Sequence, residues 1–106
     1  MAWLYLIIAG LLEVSWAIGL KMSDGLSKLI PSVFTIILMI GSFVMLSLAV
    51  KHLPIGLAYA VWTGIGAAGT ALVAMAFLGE SISFYKVFFL CLIIIGIIGL
   101  KFTSVE

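Results

Sequence analysis

Charge is what this sequence has least of. Only 8% of its 106 residues are charged, and arginine is absent. A soluble domain carries roughly 25% charged residues. This chain cannot cover a water-exposed surface, so its composition points to an integral membrane protein. The net charge of +1 offers no basic field to nucleic acid. The single cysteine, Cys91, excludes a disulfide framework and a thiolate metal set; in its apolar segment it reads as a buried thiol. The one histidine, His52, stands close to Pro54 in a loop and reads as solvated. No G-x-x-x-x-G-K-[ST] segment occurs to couple ATP. No metal, cofactor or enzymatic activity is expected. Met1-Ala2-Trp3 lacks basic side chains and Glu13 interrupts the apolar run, so a cleavable signal peptide is not expected.

What the chain has in abundance is apolar sequence, 66% of it, arranged in long runs. The first extends from Ala2 to Leu20 and contains one charged residue, Glu13. Nineteen helical residues rise about 28 Å, close to the thickness of a bilayer's hydrocarbon core. Glu13 would lie near mid-depth, where a carboxylate costs at least about 2.5–3.5 kcal/mol. Such a group usually faces a protein interior or a water-filled cavity and binds a proton or a cation. The plainer alternative is a structural carboxylate paired with a polar neighbour. Ala9, Gly10, Trp16 and Ala17 share its helix face at offsets of three and four. The small residues admit another backbone, and an indole N–H can bond a carboxylate.

Four helices are expected, at about 2–22, 29–50, 54–78 and 83–102, in a single all-α transmembrane domain. Ser23-Asp24-Gly25 ends the first. Pro31 is tolerated in the first turn of the second. In that helix Ser42 either bonds back to its own backbone, as serines in membrane helices commonly do, or reaches the carboxylate. The third contains Gly64-Ile65-Gly66, which is either a hinge or a site of close helix packing. Tyr59, Trp62 and Gly66 share one face there, with the two aromatics deeper than an interfacial belt requires. The strictly apolar part of the fourth, 87–100, is short for a span, but Lys86 and Lys101 can snorkel outward and complete a crossing. Gly96 and Gly99 make a small-residue stripe for helix contact.

Four crossings put both termini on one side. Lys51 and Lys101 lie on that side, and Lys21, Lys28 and Lys86 on the other. Orientation normally follows a clear excess of basic residues in cytoplasmic loops. Here the bias is nearly absent, so insertion in both orientations is expected. Two oppositely inserted copies would form an inverted-topology pair, an arrangement many transporters build within one long chain. A four-helix chain also has too little interior to enclose a solute and seal both ends. In a pair, two Glu13 carboxylates face one cavity and titrate as a coupled unit.

The segments Gly10-Leu-Leu-Glu13-Val-Ser-Trp16-Ala, Pro54-Ile-Gly-Leu-Ala-Tyr59-Ala-Val-Trp62-Thr-Gly-Ile-Gly66 and Gly96-Ile-Ile-Gly-Leu-Lys101 together resemble the small multidrug resistance family over essentially the whole chain. The first and last resemble its guanidinium exporter subtype; multidrug-type members usually have a small residue where Trp16 stands. The resemblance implies an antiparallel, dual-topology homodimer in the bacterial inner membrane that exchanges guanidinium for protons by alternating access. It implies Glu13 as the shared site for substrate and proton. It implies that Trp16, Ser42 and Trp62 orient that carboxylate and that Tyr59 switches partners as the cavity opens. Gly64 and Gly66 would bend differently in the two subunits, and Gly10 would pack the cavity wall. No role is carried over for Lys101.

Guanidinium is planar and offers N–H donors in a fork that suits a carboxylate. One carboxylate cannot hold proton and cation at once, so occupancy by either releases the other. If the empty, deprotonated dimer rarely flips, the proton gradient drives export. Three alternatives stand beside this reading. A multidrug exporter would take lipophilic quaternary cations, which lack N–H donors and bind by apolar and cation–π contact. A small assembly subunit would move protons without a solute. An inactive half would need a paralogous partner, against which the balanced lysines argue.

Overall fold

A computed structural model describes residues 1–103. Among them are four helices and no strand: α1 (Ala2–Met22), α2 (Leu29–Ala49), α3 (Ile55–Phe77) and α4 (Phe84–Thr103). Each has 20 to 23 residues and is apolar enough to cross a membrane, a length of about 30–35 Å. The helices follow the apolar runs and stop where local chemistry stops them. Pro31 sits in the first turn of α2, where its missing N–H costs nothing. Pro54 is the N-cap of α3, so this helix starts at Ile55. Lys86 and Lys101 both fall inside α4.

The α1–α2 connection is tightly specified. Asp24, Gly25 and Leu26 all have left-handed backbone, with φ of 53°, 71° and 70°. The Asp24 N–H donates to the Lys21 carbonyl and the Gly25 N–H to the Leu20 carbonyl, the pattern of a Schellman cap. Ser23 is fully buried at the centre of the turn. Its hydroxyl donates to the Leu20 carbonyl and accepts the Leu26 N–H at 2.9 Å.

α1 is the central helix. It packs against both α2 and α3, while α4 packs its backbone on α3 and reaches α1 through Lys101, whose Nζ lies 4.8 Å from the centre of the Trp3 ring. The result is a thin slab, 43 × 34 × 17 Å. The core gathers at one end, where Leu6 and Ala9 of α1 meet Ala49, Leu53, Ala58, Val61 and Trp62. The other half is looser and carries a groove.

Glycines bring α1 and α3 together. A Cβ at Gly10 would lie 2.7 Å from Ile65 Cγ2, and one at Gly69 would lie 2.5 Å from Val14 Cγ2. Gly64 faces α4 instead, where a Cβ would sit 2.9 Å from Ile97 Cδ1. Through 64–66 the helix runs without a break. No residue of α4 is buried. The expectation of a buried Cys91 is therefore corrected: its side chain is exposed on α4. An apolar environment around a membrane helix is supplied by lipid or a partner as readily as by the chain's own core.

Candidate functional site

Glu13 projects from mid-α1 toward α3. A helix so apolar could be expected to reject it, but the facing residue is Gly66. A Cβ at Gly66 would fall 2.8 Å from Glu13 Cγ and would collide with the carboxylate itself. Gly66 thus forms the seat of the acid. Glu13 Oε1 is buried and accepts no hydrogen bond among the described residues.

The carboxylate lines an open groove of about 430 Å³. One wall is α1, with Glu13 and Ala17. The other is a stripe on α3 of small residues, from Thr63 through Gly66, Ala67, Thr70 and Ala71 to Ala74, and Glu80 closes its far end. These positions recur every three or four residues, as one helix face requires. Among the described residues no three His, Cys, Asp or Glu side chains converge.

Beside the groove lies a buried polar knot. Ser42 Oγ donates to the Ala9 carbonyl at 2.8 Å. Trp62 Nε1 donates to the same carbonyl at 3.2 Å and to Ser42 Oγ at 3.0 Å. In a regular α-helix the Ala9 carbonyl also accepts the backbone N–H of Glu13. The knot therefore anchors α2 and α3 to the turn of α1 that carries the acid. Within this single chain, Ser42 and Trp62 bond that turn and not the carboxylate. Of the two options open to Ser42, its own backbone or the carboxylate, it takes neither.

The aromatics form a continuous run. Tyr59 and Trp62 have ring centroids 5.6 Å apart, Trp62 and Phe43 5.7 Å, and Phe43 and Trp16 6.4 Å in an edge-on arrangement. Trp16 Nε1 has no acceptor among the described residues. Trp16, Ser42, Tyr59 and Trp62 are thus brought into one neighbourhood, with Glu13 against Gly66 beside it. Gly10 packs on Ile65, and Gly64 on α4, at its edges. Sequence reasoning missed Phe43, the Ala9 carbonyl, Thr70 and Glu80. Phe43 had one available signal, its position directly after Ser42. A backbone carbonyl leaves no signal in a sequence.

A family model described as Small Multidrug Resistance protein matches residues 1–93. A guanidinium exporter of Yersinia pseudotuberculosis is 58% identical over 104 residues, covering 98% of this chain and 100% of that protein. Guanidinium exporters of Citrobacter freundii and Escherichia coli strain K12 are 56% and 54% identical, each over 98% of this chain and 99% of the relative.

Proposed function

This chain belongs to the small multidrug resistance family, and from that premise we propose that it exports guanidinium in exchange for protons by alternating access. It is a multi-pass protein of the bacterial inner membrane, with four helices of crossing length. Relatives at 54–58% identity carry the name guanidinium exporter, which supports the substrate.

One observation carries the mechanism. Glu13 is the only acid within the four spans, it sits on Gly66 with an oxygen that accepts no hydrogen bond among the described residues, and it opens on a groove. A bare carboxylate with small-residue walls can accept a flat cation edge-on, through two parallel N–H···O bonds. The same oxygens accept a proton. Because the two ligands compete for one group, release of one accompanies binding of the other. Lowering the pH on one side therefore discharges guanidinium there and loads protons.

The functional unit in this proposal is an antiparallel pair. A slab 17 Å thick has no enclosed interior, and α4 has no buried residue of its own. The near-even lysine split permits opposite insertion. In the pair, Trp16 Nε1 and the knot of Ser42 and Trp62 orient the carboxylates. Tyr59, exposed beside Trp62, switches partners as the cavity alternates. Gly64 and Gly66 allow α3 to bend differently in the two copies.

A second reading has a specific observation behind it. The run Trp16–Phe43–Trp62–Tyr59 offers ring faces to a quaternary ammonium ion. Purified protein in liposomes with an imposed pH gradient separates the two. Guanidinium flux with little flux of a tetra-alkylammonium ion supports the proposal. Dominant flux of the bulky cation moves the chain to the multidrug reading.

A further inference from the structure

Glu80 lines the same groove as Glu13, and nothing in the exchange mechanism so far uses it. We propose that Glu80 is the capture site for guanidinium at the mouth of the groove, from which the cation passes along α3 to Glu13; this rests on the transport reading above. Three features support the assignment.

The first is the path. Between Gly66, under the Glu13 carboxylate, and Ala74 the groove-facing residues of α3 are no larger than Thr70. Eight residues of helix rise about 12 Å, so the two acids stand towards opposite ends of an open trough of about 430 Å³. The second is the anchoring of Glu80. Gly79 has φ of 77°, and this left-handed step lets the Glu80 N–H donate to the Ala74 carbonyl at 3.2 Å. Glu80 is thereby tied to the helical turn where the trough ends. The third concerns the nearest cation. Lys86 lines a neighbouring pocket together with Glu80, but its Nζ donates to the Ser81 carbonyl at 3.0 Å and to Ser81 Oγ at 3.2 Å. The ammonium donates to Ser81 and not to the Glu80 carboxylate, whose oxygens remain available to a cation in the groove.

The two acids suit successive steps. Glu80 is exposed, so a hydrated cation meets it without first losing its water. Glu13 is partly buried, and binding there requires the cation to be stripped. In an oppositely inserted pair, each membrane face would carry one Glu80, so capture would operate from either side.

The test is initial-rate guanidinium transport in liposomes for the native chain, Glu80→Gln and Glu80→Asp, at low ionic strength and in about 0.5 M sodium chloride. An exposed charge acts through a field that salt screens. At low salt Glu80→Gln should raise KM by roughly two- to tenfold, the span for a unit charge acting over ~12 Å at effective dielectric constants of about 80 to 20. The rate at saturation should hold, the difference should shrink in high salt, and Glu80→Asp should restore most of the native KM. An unchanged KM at low salt overturns the proposal while leaving the transport reading intact. A fall in the saturated rate at every salt concentration also overturns it, because that is the signature of a structural role. A native chain that moves no guanidinium overturns the transport reading and this proposal with it.

Discussion

Gly66→Ala tests the seat of the carboxylate, and the structure sets its magnitude. The added Cβ would lie 2.8 Å from Glu13 Cγ and closer still to the carboxylate oxygen. An ordinary carbon contact is about 3.5 Å or more, so at least roughly 0.7 Å must be recovered at Cγ, and more at the oxygen. Overpacking of this kind costs about 1–3 kcal/mol. Glu13 lines the open groove and can relieve the clash by swinging out along it, which takes its oxygens away from the position proposed to receive the cation. A misplacement near 1 Å commonly costs on the order of a hundredfold where geometry is strict. Guanidinium transport at sub-saturating concentration should therefore fall by about ten- to a hundredfold. Gly56→Ala is the control on the same helix: apart from the neighbouring residues and backbone of its own helical turn, no described atom lies within 4 Å of its Cβ, and it gains up to about 1 kcal/mol of helix propensity. Initial rates in liposomes, normalised to folded protein, provide the comparison. Native transport by Gly66→Ala would refute the seat. Equal losses in both variants would show that α3 tolerates no alanine, for reasons unrelated to the carboxylate.

Two further substitutions probe the wall and the frame. Trp16 stands edge-on to Phe43, and in the proposed transporter it borders the carboxylate, so Trp16→Gly should let bulkier cations compete about tenfold better; unchanged competition by tetra-alkylammonium would argue against its proposed role in selectivity. Leu26 holds φ of 70°, which costs a non-glycine residue about 1–2 kcal/mol. Its side chain is 44% exposed, so Leu26→Gly should raise stability by up to about 1 kcal/mol, read as an upward shift in unfolding midpoint in detergent. An unchanged or lowered midpoint would mean that the left-handed turn is not strained.

Much of this architecture is legible in the residues. Four apolar runs, the last completed by snorkelling lysines, give four helices, and Ser23-Asp24-Gly25 and Pro54 mark two of the three breaks between them. Glu13 identifies itself because a charge in such a run needs a reason. The finer chemistry was less legible, and for physical reasons. Ser42 was open between its own backbone and the carboxylate, and it bonds the Ala9 carbonyl of another helix. Every residue has such a carbonyl, so composition cannot single one out. Gly66 was open between bending and packing; in this chain it holds the space that the Glu13 side chain fills. Only the register between α1 and α3 reveals that pairing. Cys91 reads as buried from its apolar neighbours, yet in α4 the neighbours themselves face outward. Hydropathy reports a preference for an apolar environment and does not say which molecule provides it.

Proton-coupled exchange at one carboxylate is the centre of the account, and Glu13→Gln addresses it most directly. Glutamine keeps the shape of the side chain on Gly66 but can neither ionise nor release a proton. Liposomes loaded with guanidinium, with a pH dye inside and an imposed proton gradient, report cation loss and proton entry together. The native chain should show both, and Glu13→Gln should show neither. Gradient-driven guanidinium movement that persists in the variant, with matching proton entry, would contradict the account.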